Sequence, residues 1–194
     1  HMSGTDTVAS MVVFTNGISD KGAYRKFKMR IPGNDDFAHM HEVIGRRLSE
    51  KNVKMWGKPD IFLIDGGKGQ LGSAIKARDE LGLSIPMIGL AKKFEEIVVH
   101  KDKSNVLIND EHLKKLKGFR TDESDEFVRL DLPDTSHLVK LLQRIRDESH
   151  RFAVSYHTVL KTARQTQSLL FDIPSIGPST KKKLLRTFGS LRGV

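Results

Sequence analysis

The first side chain that could do chemistry is Asp65, which follows the apolar run at residues 61–64 and precedes two glycines. Continuous apolar runs are typical of strands covered on both faces, and open α/β sheets present functional groups where such strands end. Because the chain has no cysteine, any metal ion would have to be held by carboxylate, histidine or carbonyl ligands. Aspartate before two glycines is also common in plain turns, so both interpretations stay open.

A second candidate is His150, which lies just off the apolar stripe of a predicted helix and therefore at a groove edge. Asp147, three residues earlier on the same face, could orient its ring. A lone helix histidine is more often a surface or boundary residue, so this assignment also stays open. Asp35 and Asp36 begin an earlier helix, where capping alone accounts for one of the two carboxylates.

Two glycine-containing segments could bind phosphate. Residues 66–69 resemble a phosphate cradle but lack the spacing of a P-loop, which argues against nucleotide hydrolysis. In residues 173–183, a tight turn leads into a helix whose free N–H groups can bind phosphate, while three lysines supply charge. A structural helix start with a solvated basic face would give the same pattern. The candidate DNA-binding residues there are Ser175, Gly177, Ser179, Lys181, Lys182 and Lys183.

The composition is that of a globular protein with a basic end. The 194 residues are 38% hydrophobic and 29% charged, which excludes disordered and collagen-like chains. Of the net charge of +9, residues 151–194 carry +7, from eight basic residues and one acid. A basic tail is expected of a polyanion-binding segment, although a merely solvated surface could carry the same charge. No membrane span or secretory leader is visible, so we expect a cytosolic protein without membrane contact.

The elements that position these residues predict a mixed α/β fold. The predicted elements are an antiparallel hairpin of residues 8–14 and 24–31, a helix from 34 to near 52, a strand at 61–64, a helix at 68–81 and a strand at 86–90. Strand, helix and strand with short connections form a parallel crossover unit, with the hairpin at one side.

The second half of the chain has a less regular pattern. Residues 97–100 and 106–108 are typical of a short β pair, and residues 109–126 are polar without a clear period, as in a loop or surface excursion. A long amphipathic helix begins at Leu138 and can continue past Arg151.

Two domains are predicted. A polar linker at residues 165–168 separates a body, residues 1–164, from a terminal segment, residues 165–194. The body contains the predicted strands and the candidate acids, whereas the terminal segment contains the basic glycine turn.

These motifs together resemble the C-terminal half of the UvrC family, the incision subunit of bacterial nucleotide excision repair. The resemblance implies an RNase H-like endonuclease domain that cuts damaged DNA on the 5′ side of a lesion, after handover from UvrA and UvrB. The terminal segment resembles the first hairpin of that family's tandem helix-hairpin-helix DNA-binding domain. The matching stretches are residues 8–14, 34–37, 59–71 with the centre Ile-Asp-Gly-Gly-Lys-Gly-Gln, 88–93, 143–157 and 173–190.

The resemblance also implies roles for individual residues. The family site has two strand-borne aspartates and a histidine around a divalent ion; Asp65 matches the second aspartate and His150 the histidine, so both are expected metal ligands. Asp36 matches a further acid linked to incision. Mg²⁺ or Mn²⁺ prefers oxygen ligands, and a carboxylate-bound ion can activate water and neutralise charge that develops on a phosphate.

The sequence departs from the family at its beginning. The family motif Asp-Ile-Ser-His precedes the strand pair, and His1 aligns with the last residue of that motif. The first catalytic aspartate would then lie three positions before His1, or His1-Met2 is a cloning remnant; in both cases we expect no residue of this chain to fill the role. We therefore expect weak metal binding and little incision by this chain. Ser175 also stands where the family usually has the hairpin's first glycine.

Two other functions stay open from the sequence. One is a non-catalytic module in which an RNase H-like body serves only as a platform for DNA. The other is a nucleotide-binding enzyme that uses residues 66–69, and nucleotide should then protect the chain. Substitution of Asp65 or His150 distinguishes a nuclease from a DNA platform. A nuclease should lose incision and keep its DNA affinity, whereas a platform should lose no activity.

Overall fold

The computed structural model describes residues 7–91, 96–116, 119–171, 177, 179, 180, 183, 186 and 187. The chain divides into two compact units, His1–Ser149 and His150–Val194. The division into domains after residue 164 stays a prediction. Among the described helices, none is both long enough and apolar enough to cross a membrane.

A two-stranded antiparallel ribbon forms the start of the described chain, which confirms the predicted hairpin. Strands β1 (Val8–Met11) and β4 (Arg25–Lys28) pair with each other, and β2 (Phe14–Thr15) and β3 (Ile18–Ser19) make a small hairpin between them. A short 3-10 turn (Lys21–Ala23) leads into β4. Along this strand Phe27 and Met29 are buried, whereas Lys26, Lys28 and Arg30 are exposed, because successive side chains of a strand point to opposite faces.

Two helices follow where one was predicted. Helix α1 (Asp36–Arg47) ends before residue 52, and α2 (Glu50–Trp56) begins after a break at Ser49. The break is stabilised because the Ser49 hydroxyl donates to the carbonyl oxygen of Arg46 at 2.9 Å. A hydroxyl that satisfies the last carbonyls of a helix competes with continuation of that helix.

The central sheet has five strands and is mixed, as expected of an RNase H-like fold. Its strands, in spatial order, are β5 (Phe62–Asp65), β6 (Met87–Ala91), β7 (Glu96–His100), β9 (Phe127–Asp131) and β8 (Arg120–Glu123). Strands β5 and β6 are parallel and all other neighbours are antiparallel. Helix α3 (Lys68–Asp79) connects β5 to β6, which confirms the crossover unit.

Two predictions for the second half of the sheet were wrong. Residues 106–108 form no strand, and β7 pairs instead with β9. Residues 109–126 are not simply a loop, since they contain α4 (Asp110–Lys114) and the edge strand β8. All four residues of β8 are exposed, so the sequence there carries no alternation of apolar and polar residues.

The long helix begins where predicted and continues past Arg151, as expected. Helix α5 (His137–Phe171) runs through residues 165–168, so the backbone of the predicted linker is helical. In the first unit, Val139 and Leu142 of α5 pack in one apolar cluster with buried residues of β7 and β9. The Tyr24 hydroxyl donates to the Glu148 carboxylate at 2.8 Å, which ties α5 to the ribbon.

Helix α3 is held against the sheet by a buried cation as well as by apolar packing. Arg78 is 2% exposed. Its guanidinium donates to the carbonyl oxygens of Ile85 at 2.7 Å and Lys103 at 2.6 Å, and to the Asp79 carboxylate. Burial of a charge requires such partners, so Arg78 joins α3 to the loop before β6 and the loop after β7.

Glu42 of α1 fixes the end of the ribbon. Its carboxylate accepts from the backbone N–H groups of Arg30 and Ile31 at 3.1 and 3.2 Å, and from the Arg46 guanidinium at 2.9 Å. Burial alone would raise the pKa of Glu42, but these hydrogen bonds and the charge of Arg46 outweigh it and lower the pKa.

We expect Glu42→Gln to lower the free energy of unfolding at pH 7 by roughly 1–2 kcal/mol, because a charged acceptor for three donors is lost. The pKa of Glu42 is lower in the folded than in the unfolded chain. Its contribution is therefore full above the unfolded pKa and disappears as the pH falls through the folded pKa. Urea unfolding should show a difference between wild type and variant that shrinks below about pH 4. Glu111→Gln, at an exposed position, is the control, and an equal effect there would contradict the assignment.

Candidate active site

Asp65 lies at the carboxyl edge of the sheet, as the sequence predicts. It is the last residue of β5 and stands in register with Leu90 of the parallel neighbour β6. The side chain is half-buried and its Oδ1 atom is shielded from solvent. The backbone turns immediately afterwards, with Gly66 N donating to the carbonyl oxygen of Ile64 at 2.9 Å. A carboxylate is thus held at the point where β5 ends.

Close packing of glycines fixes this turn. A Cβ atom on Gly89 of β6 would lie 2.8 Å from the carbonyl oxygen of Gly66 and 3.3 Å from the Val98 Cβ atom. Strand β6 therefore passes directly against the turn that carries Asp65. An isolated glycine inside a strand signals such a close approach, and this signal was present in the sequence.

The helix that follows the turn supplies a favourable electrostatic setting. Gly67 is the N-cap of α3, which is 12 residues long and carries no acid in its first turn. The N-terminus of a helix carries partial positive charge and favours anions, and the N-cap of α3 is two residues after Asp65. The Lys68 amino group donates to the Ser124 hydroxyl at 2.9 Å, so the lysine of the predicted phosphate cradle contacts the turn between β8 and β9.

The structure separates the roles of the two acids at the start of α1. Asp35 is the cap, since its Oδ1 accepts from the backbone N–H groups of Phe37 and Ala38, each at 3.0 Å. Asp36 is exposed, and within the described part of the chain it makes no side-chain hydrogen bond or ion pair. Capping therefore accounts for Asp35 and leaves Asp36 available for another role.

Phe37 brings the beginning of α1 to the beginning of α3. The Phe37 ring covers Gly69 so closely that a Cβ atom there would require this exposed ring to shift. The Ser73 hydroxyl also donates to the carbonyl oxygen of Phe37 at 2.6 Å. Asp36 consequently lies beside the helix into which Asp65 leads. Sequence reasoning missed Phe37, because an aromatic residue near a helix start is ordinarily assigned to the core.

His150 lies on α5 and is exposed, so it does not point into the core; its predicted position at a groove edge stays a prediction. It belongs to the second compact unit, whereas Asp65 belongs to the first. Convergence of the two side chains therefore stays a prediction. Asp147 accepts a hydrogen bond from the Arg146 guanidinium at 3.2 Å, and its predicted role in orienting His150 is likewise untested.

The donors suit a hard divalent cation, although the described residues do not complete a site. Asp65 offers carboxylate oxygens at a shielded sheet edge, the ligand type that Mg²⁺ and Mn²⁺ prefer. Among the described residues, no group of three or more His, Asp or Glu side chains comes together.

The candidate DNA-binding segment is described at only a few positions. Gly177 is exposed, and Ser179 and Lys183 are exposed and helical, which agrees with the predicted helix start. Ser175, Lys181 and Lys182 lie outside the described residues. The helix-hairpin-helix assignment stays a prediction.

Comparison with known proteins identifies the family. The sequence model described as the UvrC RNAse H endonuclease domain matches residues 1–154. UvrABC system protein C of Chlorobium phaeobacteroides is 45% identical over 192 residues, 98% of this chain and 27% of the relative. The protein of the same name from Methanococcoides burtonii is 45% identical over 195 residues, 100% of this chain and 29% of the relative. The chain thus spans just over a quarter of the length of these relatives. It belongs to the UvrC RNase H endonuclease domain family.

Proposed function

We propose that this chain is the part of a nucleotide excision repair endonuclease that makes the 5′ incision beside a DNA lesion in a metal-dependent reaction. The family membership and the relatives' name, UvrABC system protein C, support the reaction class. The single observation that carries the proposal is the half-buried carboxylate of Asp65 at the carboxyl edge of a parallel strand pair. This is the position where such sheets present functional groups.

The residues divide the chemical work. Asp65 and His150 would hold Mg²⁺ or Mn²⁺, and His150 could alternatively move a proton. Asp36 would add negative charge at the same edge of the first unit. When bound, the ion lowers the pKa of a water nucleophile and neutralises charge on the phosphate. The glycine-packed turn keeps Asp65 in one geometry, which reduces reorganisation during the reaction.

The partners follow from the same proposal. Damaged duplex DNA is the substrate, UvrA and UvrB deliver it through segments outside this chain, and the reaction takes place in the cytoplasm. The basic residues between 173 and 192 would bind the sugar-phosphate backbone.

Restoration of the family's upstream motif provides the test. We expect a chain extended by Asp-Ile-Ser ahead of His1 to nick a damaged duplex on the order of 100-fold faster in Mn²⁺ than the unextended chain, because a second carboxylate restores charge that the ion needs. An extension by Asn-Ile-Ser is the matched control. Equal rates for both extensions would contradict the proposal.

The alternative is a non-catalytic DNA platform. It is favoured by the finding that, within the described ranges, three metal-ligating side chains do not come together. If the chain is a platform, the unextended chain and both extended chains should bind DNA, and the chain extended by Asp-Ile-Ser should show no metal-dependent nicking.

A further inference from the structure

The solvated face of the N-terminal ribbon, formed by β1 and β4, is strongly basic. Residues 21–30 contain five Lys or Arg and no acid. Lys26, Lys28 and Arg30 of this segment are exposed, whereas Phe27 and Met29, which lie between them, are buried. One face of the ribbon therefore presents three cations in a row, and no part of the candidate active site uses them.

The spacing of these cations is regular. Alternate residues of a strand lie about 6.6–6.8 Å apart on one face, so Lys26 and Lys28 lie side by side on β4, and Arg30 follows two residues after the strand ends. Evenly spaced Lys and Arg side chains are the groups that neutralise successive phosphates of a nucleic acid. A two-stranded ribbon is also one of the elements that the major groove of duplex DNA admits.

The ribbon is held rigidly from behind. The Arg46 guanidinium donates to the carbonyl oxygen of Lys28 at 2.7 Å, and Met29 N donates to the carbonyl oxygen of Thr7 at 2.9 Å. Glu42 binds the backbone N–H group of Arg30. A surface that is ordered before binding loses less conformational entropy when a ligand arrives.

Positive charge also accumulates at the other end of β4, around the single tryptophan. The Cζ atoms of Arg25 and Arg47 lie 4.8 and 5.8 Å from the centroid of the Trp56 ring. Arg47 is 5% exposed, and its Nε and Nη1 atoms have no hydrogen-bond partner in the described part of the chain. Burial and the neighbouring Arg25 lower the pKa of Arg47. An approaching anion would offset this repulsion between like charges.

We propose that the solvated face of this ribbon binds the sugar-phosphate backbone of duplex DNA, independently of the basic tail. The inference rests on the proposed function, because it states where the body of the enzyme holds its substrate. An acidic protein partner is less suited to the row, since its carboxylates do not recur at a fixed interval, whereas phosphates do.

Charge reversal of the row tests the proposal. The variant Lys26→Glu/Lys28→Glu/Arg30→Glu is compared with Lys114→Glu/Lys115→Glu/Lys140→Glu, which changes three exposed cations elsewhere on the same unit. Fluorescence anisotropy with a labelled duplex should show at least about tenfold weaker binding for the ribbon variant. The slope of log affinity against log salt concentration should become shallower by the amount expected for the loss of two to three phosphate contacts. The control should keep most of the affinity. Trp56 fluorescence should respond to DNA in the wild type and the control.

The milder variant Lys26→Gln/Lys28→Gln covers the case in which charge reversal prevents folding, and thermal melts verify both variants. Equal losses in ribbon and control variants would overturn the proposal, as would an unchanged affinity of either ribbon variant. Binding of polyglutamate with the affinity and salt dependence of duplex DNA would overturn the choice of DNA.

The ribbon proposal and the proposed function can fail separately. If Asp65→Asn abolishes nicking by the extended chain while the ribbon variants bind normally, this inference fails and the proposed function stands. If binding requires the ribbon and no chain nicks DNA, the proposed function fails and this inference stands.

Discussion

Replacement of Asp65 by Asn is expected to reduce metal-dependent nicking by the upstream-extended chain about 10²- to 10³-fold or more, the range found when one preorganised electrostatic group is removed from a reacting centre. The amide has nearly the same shape as the carboxylate but lacks the charge that holds a hard cation. Because Asp65 is half-buried at the end of β5, the substitution leaves the surrounding packing intact. Nicking of a damaged duplex in Mn²⁺ measures the effect.

Asp60→Asn is the matched control, because Asp60 is exposed just before the other end of the same strand. It should nick at the wild-type rate. Both variants should bind DNA as the parent does, since the proposed DNA contacts lie on the ribbon and in the basic tail. Wild-type nicking by Asp65→Asn would remove the nuclease assignment from this edge of the sheet.

Replacement of Gly89 by Ala should damage both stability and incision. The added Cβ atom would lie 2.8 Å from the backbone carbonyl oxygen of Gly66, and a backbone atom cannot move aside as a flexible side chain can. The turn that carries Asp65 must then shift, at a cost of about 1–3 kcal/mol in the free energy of unfolding. A displacement on the order of 1 Å can cost about 100-fold in rate, so nicking should fall more than stability alone explains.

Gly45→Ala is the corresponding control. A Cβ atom there meets nothing within 4 Å, and Gly45 lies inside α1, so alanine should raise stability by up to about 1 kcal/mol. Urea unfolding and Mn²⁺-dependent nicking are measured on the same preparations. Full nicking by Gly89→Ala would show that close packing against the turn does not position Asp65.

The half of the fold nearest the site could be predicted from local patterns. The apolar run before Asp65, the glycines after it and the stripe of α3 all act within about 15 residues of each other, so periodicity and turn chemistry define them. The solvated face of the ribbon was equally visible, because Lys26, Lys28 and Arg30 alternate with apolar residues.

The rest depends on contacts between distant residues. The partner of β7 is β9, about 30 residues further along the chain, and no local pattern selects it over residues 106–108. The break between α1 and α2 depends on a hydroxyl of Ser49, which a helical period does not register. Phe37 likewise acquires its role only because Gly69 of another helix lies beneath its ring.

Within the candidate site, the sequence predicted the positions of individual residues better than it predicted which residues come together. The carboxylate at the strand end was predicted correctly, and the structure further assigns the capping role to Asp35 and not to Asp36. The metal, the pairing of Asp65 with His150 and the DNA contacts of the tail rest on family resemblance, which local physical chemistry does not replace.

Crystals of the upstream-extended chain soaked in Mn²⁺ provide the sharpest test of the proposed metal site, because anomalous scattering locates the ion without reference to activity. We expect one Mn²⁺ within about 2.0–2.3 Å of an Asp65 oxygen, the distance typical of small hard cations, with the His150 ring facing the same ion. An ion bound elsewhere, or an Asp65 carboxylate with His150 directed away from it, would rule out this metal site.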